Sequence, residues 1–282
     1  MQVGPYHLLI RQRPAASGAA RHLAEGPRVE WPQDDEEDAA AAAAGQLPDL
    51  SNVGLVVWSS GYVLADLLLR RPPLGAWPGV TVLELGSGTG VCGMFLAAAG
   101  ARALLTDLPH ITPLTRDNVA ANCGGGAGGS GAAGAPLVVD FAWGEPARAL
   151  RERAAAAAAA SGASWWRQRL QQTPQGLPDL QPDQRPDGGL SDHERGIMTF
   201  DLIVAADVLY EPRGHAPLLQ SLQELSSPHT QVYISYRRRG MGEEGFAAAA
   251  AGAGWAVQEV PLELLHAEFQ GGEYRVMALC QL

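Results

Sequence analysis

Residues 80–100, VTVLELGSGTGVCGMFLAAAG, constrain this chain more than any other stretch. An apolar run that ends in clustered glycines and continues as an apolar, helix-like segment reads as a buried strand, a tight turn and a helix. Gly100 stands where it can end that helix. The pattern then repeats. RALLTD (102–107), PLVVDFAW (136–143), FDLIVAAD (200–207) and QVYISYR (231–237) read as further strands. ITPLTRDNVAANC (111–123) and HAPLLQSLQELS (215–226) read as helices, the second with Leu218, Leu219, Leu222 and Leu225 on one face. WAVQEVPL (255–262) and YRVMALCQ (274–281) follow with no helix between them, which predicts an antiparallel pair at one edge. GYVLADLLLR (61–70) reads as an amphipathic helix, approached through NVGLVVW (52–58). Strands alternating with helices imply an α/β fold with a mostly parallel sheet covered on both faces.

Low-complexity segments interrupt this pattern. Residues 34–50 are acidic and Ala-rich, and residues 124–135 (GGGAGGSGAAGA) fit neither a helix nor a packed strand, so both predict mobile loops. Residues 145–198 form an insert whose first part, to 172, has few helix breakers and reads as partly helical, and whose Pro-rich remainder predicts disorder. HLLIRQ (7–12) reads as a strand. The expected organisation is an N-terminal extension over 1–50 and one domain over 51–282.

Every one of the 20 basic residues is Arg, and Ala runs occupy 39–44, 154–160 and 247–251; we read both as coding bias without functional weight. A net charge of −10 disfavours nucleic acid as a partner. The run Arg237–Arg238–Arg239 reads as a solvated strand end rather than a binding patch. Three cysteines, Cys92, Cys123 and Cys280, fit neither a disulfide framework nor a zinc site. No apolar run approaches membrane-spanning length, and the N-terminus lacks a signal-peptide core. Residues 1–28 hold four Arg and one acid, a faint transit-peptide character, but the strand reading of 7–12 favours the cytoplasm. A monomer is expected.

The chemistry concentrates at three places. LELGSGTG (83–90) would let a cofactor approach the backbone at a helix N-terminus. Gly88, Gly90 and Gly93 also match G-x-G-x-x-G, a weak dinucleotide fingerprint. The acidic-x-Gly-x-Gly-x-Gly register through Glu84, Gly86, Gly88 and Gly90 points instead to S-adenosyl-L-methionine, which has no pyrophosphate and whose amino group calls for a carboxylate neighbour. Asp107 ends the second strand 19 residues after Gly88, where an acid bonds ribose hydroxyls; the competing reading is a helix cap. FDLIVAADVLY (200–210) delivers Asp207 and Tyr210 to the carboxyl end of the fourth strand, where ligands bind in open parallel sheets. Trp58 and Trp143 could wall the pocket or belong to the core.

These residues together resemble the family-16 seven-β-strand protein lysine methyltransferases, most nearly their valosin-containing-protein type. The resemblance rests on Gly54 to Trp58 (GLVVW), Glu84 to Gly90, Thr106–Asp107, Trp143–Gly144 and Asp207 to Tyr210 (DVLY), with a tail at 236–246 and 260–263. It covers roughly 51–144 and 200–282 and implies the Rossmann-like seven-strand methyltransferase fold. It further implies cofactor contacts at Trp58, Gly86, Ser87, Gly88, Asp107, Trp143 and Ala206, and substrate positioning by Asp207 and Tyr210. The implied partner is a protein, such as an ATPase or chaperone. Ser59 stands where relatives often carry Asp, and the insert at 145–198 is longer than usual. The expected reaction is methyl transfer to a protein lysine. The alternatives are another methyl acceptor, namely a small molecule or a protein histidine, and a nicotinamide oxidoreductase.

Overall fold

A computed structural model describes residues 1–12, 54–123, 134–171 and 198–282. The chain opens with a short antiparallel hairpin, β1 (Gln2–Val3) and β2 (Tyr6–His7), turning through Gly4 at positive φ. Helix α1 (Ser59–Arg70) buries Val63, Leu64, Leu67 and Leu68. Strand β3 (Thr81–Leu85) is buried along its whole length, as a strand covered on both faces must be. There follow α2 (Val91–Ala98), β4 (Arg102–Asp107), α3 (Thr112–Cys123), β5 (Leu137–Asp140), α4 (Ala147–Ser161), α5 (Ser164–Gln171) and β6 (Leu202–Ala206). The C-terminal part comprises α6 (His215–Leu225), β7 (Gln231–Arg237), α7 (Gly245–Gly252), β8 (Trp255–Glu259) and β9 (Tyr274–Gln281).

Seven strands form one sheet in the order β5–β4–β3–β6–β7–β9–β8. The first five are parallel. β9 runs antiparallel between β7 and β8. The order reverses direction at β3, so the carboxyl ends of β3 and β6 flank the crevice where an open sheet binds ligands. Period-two alternation splits the core. Leu83, Leu85, Leu104 and Ile203 face α4–α7, whereas Val82, Leu105 and Val204 face α1 and α2. Glu84 lies on the second face, against the first turn of α2.

The expected α/β class, the parallel sheet and the closing antiparallel pair are all present. The first part of the insert, expected to be partly helical, forms two helices, with Leu150, Ala154 and Ala158 of α4 and Trp166 of α5 buried in the core. Two details differ from the expectations. α7 contains the Ala run read as coding bias, and its Phe246 and Ala250 are buried. The expected strand at 7–12 is a strand only to His7. Leu8 still pairs with the main chain of Met1, and from Leu9 onward the main chain pairs with side chains, because its neighbour is a helix. Asn118 of α3 accepts the Arg11 N–H at 2.8 Å and donates to the Arg11 carbonyl at 3.0 Å. Asn122, one helical turn on, does the same for Leu9 at 2.7 and 2.8 Å. The acidic stretch 34–50, most of 124–135 and the Pro-rich stretch from 172 onward lie outside the described residues.

Asn118 is fully buried and also donates to the Thr89 carbonyl at 2.9 Å, tying the N-terminal segment to the glycine turn. Asn118→Leu keeps the branched shape but leaves buried main-chain groups unpaired, at about 1–3 kcal/mol. Urea unfolding is expected to show that loss, whereas the more exposed Asn122→Leu costs less; equal midpoints for Asn118→Leu and wild type would remove Asn118 from this role.

Candidate active site

Beyond the carboxyl ends of β3, β4, β5 and β6 lies a cavity of about 290 Å³. The ten residues expected to contact cofactor or substrate all line it. From the glycine turn come Glu84, Gly86, Ser87 and Gly88; from β4, Asp107; from the approach to α1, Trp58. Trp143 follows β5, and Ala206, Asp207 and Tyr210 follow one another out of β6.

The glycine turn is held from both sides. Ser87 N–H donates to the Thr106 carbonyl at 2.9 Å, and Gly88 N–H to Asp107 Oδ2 at 2.7 Å. Asp107 Oδ1 accepts the Leu108 N–H at 2.7 Å. Asp107 therefore caps no helix; α3 begins five residues later. Burial raises its carboxyl above the ordinary aspartate value, against those two N–H bonds and the nearby His110. Gly88 lies against the segment before α1: a Cβ there would stand 3.1 Å from the Gly54 carbonyl. A bulky residue at Gly88 would thus push the 54–58 wall away rather than project into the cavity. At Gly86, φ is +70° and a Cβ would meet Trp143 and Val208 at 2.9 Å, so the indole lies directly over the turn.

Glu84 is 2% exposed. Its Oε2 accepts the Gly93 N–H at 2.9 Å, in the first turn of α2. Burial raises its carboxyl to about 8; the Gly93 bond opposes the shift and the charge of Asp107 adds to it. A group raised to about 8 is largely protonated at neutral pH.

Asp207 is the sole non-glycine residue with positive φ among the described residues, at 59°. Such a conformation costs about 1–3 kcal/mol and survives only where surroundings enforce it. Here they do. The Asp207 N–H donates to the Ser235 carbonyl at 2.8 Å. Arg239 grips its carboxylate through both terminal nitrogens, at 2.7 and 3.0 Å. Arg239 also lies over the Trp58 ring, 5.2 Å from its centroid. The expectation that Arg237–Arg239 form a solvated end therefore fails at its third member. Arg238 pairs with the exposed Glu244, but Arg239 turns inward to the site. The available signal was topological: β6 and β7 are parallel neighbours, so an acid after one and an Arg after the other adjoin. Tyr210 has its hydroxyl held protonated by burial, reinforced by Asp107, Asp207 and Glu211. His215 Nε2 lies 3.0 Å from the Leu209 carbonyl and fixes the turn that carries Tyr210.

A family model described as lysine methyltransferase matches residues 47–146 and 190–252. The EEF1A lysine methyltransferase 3 of Xenopus tropicalis is 24% identical over 67% of this chain and 61% of its own length. The protein N-lysine methyltransferase METTL21A of Danio rerio is 28% identical over 69% of this chain and 65% of its own. The matches thus span less than two thirds of either relative. Among solved structures, a TehB-like SAM-dependent methyltransferase from Corynebacterium glutamicum matches with a TM-score of 0.46 and 16% identity, over 88% of this chain and 95% of that one. The magnesium protoporphyrin IX methyltransferase of Synechocystis with bound SAH matches with a TM-score of 0.47 and 11% identity, over 84% and 90%.

The proton on Glu84 couples the stability of the fold to pH. The folded state keeps a proton that the unfolded chain, with an ordinary value of 4.5, has released. Stability from this group is present below about pH 4.5 and is lost as pH rises to about 8, at up to about 1.4 kcal/mol per pH unit, then levels. Urea midpoints measured from pH 5 to 9 should fall more steeply for wild type than for Glu84→Gln; parallel curves would show that Glu84 is ionised in the folded chain.

Proposed function

The chain belongs to the lysine methyltransferase family, and from that premise we propose that it transfers a methyl group from S-adenosyl-L-methionine to a lysine side chain of another protein. The observation that carries the proposal is the convergence of the glycine turn, Asp107 and the post-β6 residues on one cavity at the switch point of a parallel sheet. The residues fit the cofactor. Ser87 is 7% exposed, and its hydroxyl has no hydrogen-bond partner among the described residues, a polar atom that suits a polar ligand. Glu84 suits the amino group of the methionine moiety. Asp107 suits the ribose hydroxyls, each of its oxygens keeping a lone pair beyond the N–H it already accepts. Trp58 and Trp143 would flank the nucleoside, and Ala206 leaves room beside them.

The bound cofactor supplies an electrophilic methyl group on a sulfonium; the protein itself aligns the amine and excludes water. A lysine must lose its proton first, and its ordinary value near 10.4 keeps it charged at neutral pH. Desolvation in the cavity lowers that value. Tyr210, protonated, can accept from or donate to the amine but does not serve as its base. Asp207, already paired with Arg239, would act through the shape of its turn more than through a free carboxylate. A protein partner agrees with the names of both relatives; an ATPase or chaperone substrate remains a proposal from the sequence resemblance, beside the EEF1A of one relative's name. Labelled methyl incorporation into cell extract, followed by mass spectrometry, tests the acceptor. Label on histidine or on small molecules alone would replace the lysine reading.

Two substitutions separate binding from chemistry. Asp107→Ala is expected to weaken S-adenosylhomocysteine binding by about 1.5–3 kcal/mol, measured by calorimetry; unchanged affinity would overturn the ribose assignment. Tyr210→Phe keeps the ring and should leave that affinity within several-fold of wild type. Methylation should fall at least about tenfold, or about 1.4 kcal/mol of transition-state stabilisation. A wild-type methylation rate in Tyr210→Phe would make Tyr210 structural.

A further inference from the structure

A cation already stands at the cavity wall, and it belongs to the protein. β6 and β7 are parallel neighbours with Ala206 opposite Ser235, and Arg239 lies two residues beyond the end of β7. Its guanidinium meets both carboxylate oxygens of Asp207 and covers the Trp58 ring. Asp207 and Trp58 both line the cavity. A planar fork that binds a carboxylate at two points while stacking on an indole is an arrangement open to Arg and closed to Lys. The Asp207 side chain is 5% exposed, so water does little to screen the pair.

The turn that delivers Arg239 is itself secured. Glu243 is fully buried and accepts the main-chain N–H of Arg239 and of Met241, each at 2.9 Å. A Cβ at Gly242 would stand 2.8 Å from Pro212, so this turn packs on the loop that follows Tyr210. The arginine is thus held from behind by the β7–α7 turn and in front by Asp207.

Resting on the reading that this cavity takes S-adenosyl-L-methionine, we propose that Arg239 is a positioning residue that acts electrostatically. It cancels the charge of Asp207 and seats the Trp58 ring, so that this wall of a cavity admitting a sulfonium and an amine carries no net charge. A bare carboxylate there would stabilise the lysine as its ammonium ion, which has no lone pair to attack with. It would also hold the charged sulfonium more tightly in the ground state than in the transition state, which raises the barrier. Glu84 and Asp107 line the same cavity but keep their places in every variant below, so they drop out of the comparison.

S-adenosylmethionine and S-adenosylhomocysteine differ by one methyl group and one positive charge, so the ratio of their dissociation constants reports the local charge. Calorimetry on the full chain measures both. Arg239→Met uncovers Asp207 and should shift the ratio about tenfold towards S-adenosylmethionine. Asp207→Asn uncovers Arg239 and should shift it the opposite way. The double variant Asp207→Asn/Arg239→Met should return within about twofold of wild type, and Arg239→Lys, which keeps the charge, should leave the ratio in place. A merely structural arginine would weaken both ligands equally, and unshifted ratios in Arg239→Met and Asp207→Asn overturn the inference. If Arg239→Met does not fold, Asp207→Asn decides it alone. Wild-type protein that binds neither ligand removes the cofactor reading itself, whereas binding with unshifted ratios removes this inference and leaves that reading standing.

Discussion

The hydrogen bond from the Gly88 N–H to the Asp107 carboxylate, across 19 residues, sets the geometry on which the rest of the site depends. β3 and β4 are paired through Leu85 and Thr106, so their ends are level. The bond then draws the glycine turn over the tip of β4 and leaves the Asp107 oxygens facing the cavity. Thr115 of α3 closes the other side by donating to the Gly88 carbonyl at 2.6 Å. Every main-chain group bound here is one that a glycine turn would otherwise leave to water. The turn is rigid through its partners, although its residues are among the most flexible in an unfolded chain.

The second half of the site works differently. The post-β6 loop contains a strained residue, Asp207, whose conformation is maintained by contacts from other elements, Ser235 from β7 and Arg239 from beyond it, while the turn at Gly242 packs on Pro212 further along the loop. His215 anchors the same loop through the Leu209 carbonyl. One half of the cavity is therefore set by hydrogen bonds from β4 and α3 to the main chain of the glycine turn, and the other by ion pairing and packing from β7 and the turn after it. Changes near Asp207 should consequently reach the site from a distance, through β7 and α7, whereas the glycine turn answers mainly to β4 and α3.

That division explains what could be read from the amino acids. The strands were legible because a five-residue buried run such as Thr81–Leu85 leaves little alternative, and the glycine turn because its backbone demands are written in its own residues. The arrangement of Asp207 was not. A run of three arginines looks solvated in every local respect, and only the adjacency of β6 and β7 turns the third one inward. α7 is illegible for the opposite reason: an Ala run is apolar all round and shows no face, so its burial depends on what packs against it. The segment after His7 has strand-like residues, yet it borders α3, where asparagines one turn apart stand in for the missing strand partner. Periodicity reports the chain's own conformation and is silent about the neighbour.

The match of Gly88, Gly90 and Gly93 to a dinucleotide fingerprint shows the same limit from the chemical side. In that fingerprint the third glycine serves close packing of helix against strand. Gly93 meets this packing demand here too. A Cβ would overlap Leu105 outright and stand 2.6 Å from Glu84 Oε2. But the group packed against it is a carboxylate that takes the Gly93 N–H, so the start of α2 is already engaged by the protein's own acid. A pyrophosphate at this helix N-terminus would compete with Glu84 for the positive end of the helix dipole and lie near Asp107 as well. Three carboxyl groups line the cavity; Arg239 pairs with Asp207, and the other two, Glu84 held protonated by burial and Asp107 with its carboxyl raised by burial, favour a ligand that brings positive charge. The glycines are common to both ligand classes because both need the tight turn. The acids beside them select between the two.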